Sequence, residues 1–186
     1  MQKHFYAVLL FSFLSSCIPF QIAPTIDDYK LVKGKRFKKG LPSKTTFVFQ
    51  DPKAYGDFYK FINAKYQLND YFVDVEVPFE IEGETFYLSF YEVMKKSKAL
   101  FLVPLATDIA INEATNSGEF EPVFAKQDNT ILEGGTFYVV IEVYSDDEKD
   151  CLSQSSRNRQ RALAYLQNLK AEYLNTHNYN ELLFKN

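Results

Sequence analysis

The chain of 186 residues carries 24 acidic and 21 basic side chains, a formal charge of −3, which excludes a nucleic-acid partner held by overall charge. The length suits one domain with a proper core. Two histidines and two cysteines are too few for a zinc site built on several such ligands. Eighteen Phe and 13 Tyr with no Trp supply rings that fill a small core and phenols that stay wet at its rim.

Met1 to His4 form a short polar start with Lys3, and Phe5 to Leu14 are apolar apart from Ser12. A charged start and an apolar run of about ten residues have the form of a secretory signal. The run is well short of the roughly 20 apolar residues that span a bilayer. Leu14-Ser15-Ser16-Cys17 resembles the bacterial lipobox: an aliphatic residue, two small residues, then cysteine. The resemblance covers only this leader. It implies a signal peptide at 1–16, cleavage at Ser16-Cys17 and acylation of Cys17. Two or more acyl chains hold a protein on a bilayer where one does not. Ile18-Pro19-Phe20-Gln21 carries no acid. In lipoproteins generally, acids there signal inner-membrane retention or surface export, so an outer-membrane anchor with the domain facing the periplasm is expected.

Ile18 to Asp28, with Pro19 and Pro24, reads as a tether, extended to residue 44 by a basic segment. Lys30, Lys33, Lys35, Arg36, Lys38 and Lys39 lie within ten residues, punctuated by Gly34 and Gly40. This reads as a solvated loop or hairpin, or as a patch for anionic head groups, an anionic glycan or lipid. The domain proper is expected over 45–186.

Thr45 to Gln50 reads as a strand with Phe47 and Phe49 on one face. Asp51-Pro52 is a helix-start pattern, an acceptor at the N-cap followed by proline. The helix should run over about 52–66 and bury Tyr55, Phe58, Tyr59, Ile62 and Tyr66. Phe72 to Glu82 alternates, with Val73, Val75, Val77, Phe79 and Ile81 facing inward and the acids outward. A turn around Glu82-Gly83-Glu84 leads to a return strand through Phe86, Leu88 and Phe90. The acids and Tyr87, Ser89 and Tyr91 form the outer face, without the alternating loop of a calcium site.

Ala99 to Ala106 reads as a short edge strand with Pro104. Thr107 to Gly118 is open between a short helix and a loop. Segments 119–126 and 130–132 read as a hairpin ended by Gly134-Gly135, which lack the spacing and lysine of a phosphate-binding loop. Thr136 to Tyr144 is apolar enough for a central strand covered on both faces. After an acidic turn at Asp146, Asp147, Glu148 and Asp150, a helix should run over about 156–175. Its buried stripe is Ala162, Leu163, Leu166, Leu169 and Tyr173. Arg157, Arg159 and Arg161 crowd its start, where positive charge opposes the helix dipole. They pair with the preceding acids or form an anion or partner site.

The fold class is therefore α+β, one antiparallel sheet of about five to seven strands packed by two main helices. The order is similar to cystatin-like or nuclear-transport-factor-like domains, an analogy that carries no function. Removal of the signal leaves His177 as the one histidine, near an exposed end. Cys151 sits between a helix start that lowers its pKa and acids that raise it, which reads as an idle thiol. Acids are plentiful, but nothing singles out a catalytic pair. No cofactor or metal is implied.

The leading expectation is a non-catalytic lipid-anchored envelope protein. It binds an unidentified envelope protein or glycan, with Lys33, Lys35, Arg36, Lys38, Lys39, Arg157, Arg159 and Arg161 as binding residues and Cys17 as the lipidated one. The alternatives are a periplasmic immunity or inhibitor lipoprotein and, last, a hydrolase or thiol enzyme.

Overall fold

The structure, a computed structural model, describes residues 17–101 and 131–179. These fall into two compact units, one holding 17–24, 95–101 and 131–136 and the other 25–94 and 137–179. The signal peptide expected at 1–16, the part of the expected 99–106 strand beyond residue 101 and the segments up to residue 130 lie outside the described residues.

The larger unit is an antiparallel sheet under two helices, the α+β architecture expected. Its sheet is built from β2 (Lys30–Lys33), β3 (Thr45–Asp51), β4 (Val77–Ile81) and the parts of β5 (Glu84–Phe101) and β6 (Ile131–Ser145) that fall within it, ordered β4-β5-β6-β3-β2. β6 is central. Tyr138 to Val143 are all buried, as a strand covered on both faces requires. The helices are α1 (Gly34–Phe37), α2 (Asp57–Tyr66) and α3 (Arg159–Asn175). In the smaller unit, β1 (Cys17–Gln21) pairs antiparallel with the far end of β5, Cys17 opposite Phe101. There the Ala23 N–H donates to Ser97 Oγ at 2.9 Å.

The core follows from alternation on the strands. Phe47 and Phe49 of β3, Val139, Ile141 and Val143 of β6, and Phe86, Leu88 and Phe90 of β5 face the helices. From α2 come Phe58, Phe61 and Ile62, and from α3 Ala162, Leu166, Leu169 and Tyr173. Phe58 is the hinge of an aromatic cluster, with ring centroids 4.9 Å from Phe90 and 5.0 Å from Tyr173, both edge-on. Burying a ring this size stabilises by roughly 1.5–3 kcal/mol, and edge contacts add about 0.5–1.5 kcal/mol.

Four expectations need correcting. The first helix begins at Asp57, not residue 52, because Asp51 is the last residue of β3 and is buried. Its Oδ1 accepts from the Lys53 N–H (2.9 Å) and its Oδ2 from the Tyr173 hydroxyl (2.9 Å). Tyr55 consequently lies outside the helix and is exposed. Second, β4 starts at Val77. Phe72 and Glu76 have left-handed φ of 49° and 56°, so 72–76 is a turn, Val73 alone plugs into the core and Val75 faces solvent. Third, Gly134-Gly135 do not end a strand, because β6 runs through them. Fourth, residues 25–44 are not a tether. Tyr29 stacks on Phe47 (4.8 Å), Leu31 packs on the core, and β2 pairs with β3 from Lys30 opposite Val48 to Lys33 opposite Thr45.

The turn between β4 and β5 is as read. Ile81 pairs with Glu84, leaving Glu82-Gly83 as a two-residue loop with φ of 53° and 81°, the twist-matched hairpin form. No helix among the described residues is long and apolar enough to cross a membrane.

Candidate functional site

The two basic segments of the sequence, far apart along the chain, meet in one concavity of about 680 Å³. It is lined by Lys33 of β2, Arg36 of α1, Thr45 of β3, Ser153 and Ser155 of the β6–α3 loop, and Arg159 at the start of α3. Three local features put them there.

The first is the close return of the chain around α1. The Gly34 N–H donates to the Lys44 carbonyl (3.0 Å) and the Lys35 N–H to the Pro42 carbonyl (2.9 Å). A Cβ on Gly34 would lie 2.6 Å from the Pro42 oxygen, so the approach requires glycine. Phe37 is buried at the end of α1 against the edge of the Tyr138 ring (5.2 Å), which leaves Arg36 facing outward.

The second is Asp150. Its Oδ2 accepts from Lys33 Nζ (3.0 Å), the Thr45 N–H (2.9 Å) and the Thr45 hydroxyl (3.2 Å). One carboxylate thus clamps β2, β3 and the loop after β6.

The third is the internal bonding of that loop. Glu148 Oε2 accepts from the Ser156 hydroxyl (2.8 Å) and Asn158 Nδ2 (3.2 Å), and the Cys151 N–H donates to the Val143 carbonyl (3.0 Å). These bonds hold the start of α3, and Arg159 with it.

The charge balance is one-sided. Lys33 is met by Asp150. Arg159 donates to a neutral group, the Leu152 carbonyl, at 3.3 Å, and Arg36 has no carboxylate partner among the described residues. Two guanidinium groups and the Ser153 and Ser155 hydroxyls therefore face one space with no carboxylate in its lining. Planar guanidinium forks match carboxylate and phosphate oxygens two at a time, so the arrangement is suited to an oxyanion.

The remaining sequence candidates are placed elsewhere. Lys35, Lys38 and Lys39 are exposed on and after α1. Arg157 pairs with Asp147 (3.2 Å) on the open surface. Arg161 turns to the β4–β5 hairpin and bridges Glu82 (3.2 Å) and Glu84 (2.7 Å). Of the three arginines around the start of α3, Arg157 pairs with the preceding acids, Arg161 clamps the hairpin, and Arg159 is left for the site. Cys17 opens β1. Thr45, Asp150, Ser153 and Ser155 carry no site signal in the sequence. Asp150 stood among four acids with no local mark to separate it.

The thiol of Cys151 is fully buried and burial pushes its pKa up, the setting of an inert thiol. Its Sγ faces the Glu148 carbonyl at 3.5 Å. His177 is exposed past the end of α3. Comparison with known proteins finds no match: no family model, no characterised sequence and no solved structure aligns significantly with this chain.

Proposed function

We propose that this chain is a lipid-anchored envelope protein that binds, without catalysis, a partner carrying phosphate or carboxylate groups. The observation that carries the binding reading is the convergence of Lys33, Arg36 and Arg159 on one concavity with no carboxylate in its lining. The anchor is supported by the signal-like start and the Leu14-Ser15-Ser16-Cys17 pattern. The buried thiol of Cys151 and the exposed setting of His177 favour binding over nucleophilic chemistry.

Binding is tested by titrating the full chain with inorganic polyphosphate. Arg36→Ala with Arg159→Ala should weaken it at least tenfold. Lys38→Ala with Lys39→Ala removes the same charge outside the concavity and should weaken it less than threefold. Equal losses would reduce the site to bulk charge. The anchor is tested separately. Cys17→Ser should move the protein from the membrane to the soluble fraction, and membrane retention of that variant would remove the anchor.

A further inference from the structure

A second concavity, of about 510 Å³, opens between the C-terminal half of α2, the loop that follows it and Tyr179. Its polar lining is Tyr59, Asn63, Gln67, Asn69, Asp70 and Tyr179, with Lys60 at the side. We propose that this is a binding site for a neutral glycan. The inference rests on the reading of the chain as a binding protein, but on none of the basic residues of the first site.

The chemistry of the lining points to this class. Three amides, two phenols and one carboxylate offer donors and acceptors together. A sugar with vicinal hydroxyls donates and accepts at adjacent positions; a planar amide answers both at once, and a carboxylate accepts from both hydroxyls. Of the two charged side chains here, Lys60 has a carboxylate partner, and Asp70 keeps its negative charge, which disfavours an anionic ligand. Lys60 is paired with Asp57 at 3.0 Å. Asp70 is held by Asn63, whose Nδ2 donates to Asp70 Oδ1 (2.7 Å) and whose Oδ1 accepts from the Asp70 N–H (2.9 Å). No guanidinium lines the space, in contrast to the first concavity. The ligand it suits is polar and uncharged.

The backbone of the rim is strained and fixed. Gln67, Asn69, Asp70 and Phe72 have left-handed φ of 54°, 52°, 62° and 49°. Asn and Asp tolerate that region, whereas a phenylalanine there is an outlier of the kind that persists only where the surroundings impose it. The imposing contacts are the Asn63–Asp70 pair, the Leu68 N–H to the Asn63 carbonyl (3.1 Å) and the Tyr71 N–H to the Leu68 carbonyl (3.0 Å). On the far side, Val73 is buried as a plug. The consequence is that Tyr71 and Phe72, 72% and 63% exposed, stand in solvent edge to face at 4.5 Å. A preformed rim loses little entropy on binding. The two rings lie outside the lining itself but follow Asp70 of the lining directly in the chain, and their exposed faces give sugar rings a surface to stack on.

The test is calorimetric titration of the full chain with two neutral tetrasaccharides, one of β-1,4-linked N-acetylglucosamine and one of α-1,4-linked glucose. Saturable binding of at least one is expected. Gln67→Ala and Tyr71→Ala should each weaken it at least fivefold. Both side chains are exposed, so the melting temperature should stay within a few degrees. Polyphosphate binding should be unchanged in both variants, and sugar binding unchanged in Arg36→Ala with Arg159→Ala, so each site can fail without the other. Absence of saturable binding to both sugars, or equal binding by the variants, overturns the proposal. So does a photocrosslinker in place of Phe72 that captures a protein in cells while no sugar binds.

Discussion

Glu92 of β5 accepts a hydrogen bond from the Gly56 N–H at 2.9 Å. The N-terminus of α2 is therefore capped from a strand 36 residues away. No side chain of its own segment caps it. The residue at the cap position is Gly56, with φ 87°. Negative charge at a helix N-terminus gains about 0.3–1 kcal/mol, yet the Glu92 pKa is raised, with burial the largest cause. Desolvation outweighs the dipole here.

Replacing Glu92 by Ala should cost about 0.5–2 kcal/mol, the usual value of a lost cap. Gln keeps an acceptor and should cost less. The pH dependence has a definite sign. A carboxyl with a raised folded pKa binds more protons in the folded state, so stability falls as pH rises from about its ordinary 4.5 through the folded value. The Glu92→Gln deficit should therefore shrink between pH 4.5 and 7 in denaturant melts. A deficit that grows with pH would mean the charged cap is favourable.

The remote cap also explains what the sequence conceals. Asp51-Pro52 has the local form of a helix start, but Asp51 is claimed by Tyr173, 122 residues on, and a local pattern has no access to that partner. Where the deciding contacts are local or periodic, the reading holds. The Glu82-Gly83 turn, the buried run of β6 and the Ala162, Leu166, Leu169 and Tyr173 stripe of α3 were all legible. The candidate site was half legible. Arg36 and Arg159 stand out as basic residues, but their meeting depends on the close approach at Gly34 and the reach of Asp150 to Lys33 across 117 residues. Phe72 and Val75 were assigned to β4 because alternation carries no sign of the left-handed residues that break it.

Gly34→Ala should destabilise the fold by about 1–3 kcal/mol, the range of overpacking. The added Cβ would meet the Pro42 oxygen at 2.6 Å, with Leu41 Cβ and Thr46 Cγ2 next at 3.2 and 3.3 Å, so backbone has to move. Because Arg36 is two residues on, polyphosphate binding should weaken as well. Gly40→Ala serves as the comparison. It has open space around it but a φ of 94°, so it should cost stability through strain while leaving binding intact. Unaltered stability in Gly34→Ala would mean that the α1 turn relaxes freely.

Glu142 sits on the central strand with its side chain only 7% exposed, 3.1 Å from Lys44 Nζ. The Tyr91 hydroxyl donates to its other oxygen at 3.2 Å. Breaking a buried pair on one side typically costs 3–5 kcal/mol because a charge is left without its partner. Lys44 is about one-third exposed, so Lys44→Met should cost about 1–3 kcal/mol. The pair Lys44→Met with Glu142→Leu should recover most of that loss. A double variant as unstable as the sum of the singles would show that Glu142 is held by Tyr91 and not by the lysine.

The tyrosines set the alkaline limit of the fold. Burial is the first cause that pushes Tyr91, Tyr144 and Tyr179 each up to about 12. It drives Tyr66 and Tyr173 higher still. All five phenols ionise at lower pH once unfolded, near the ordinary value of 10. A folded state that holds the proton longer is stabilised below pH 10 and loses that advantage as pH rises toward 12 and beyond. Absorbance at about 295 nm should therefore show a steep rise above pH 10 that coincides with loss of the far-ultraviolet circular dichroism. Tyr173→Phe removes one of these phenols but also frees the Asp51 carboxylate, so its net effect at pH 7 should be a loss of about 1–3 kcal/mol, the cost of a buried acceptor without its partner. A single smooth titration centred at 10, with the dichroism intact, would mean that the buried phenols are reached by solvent in the native state.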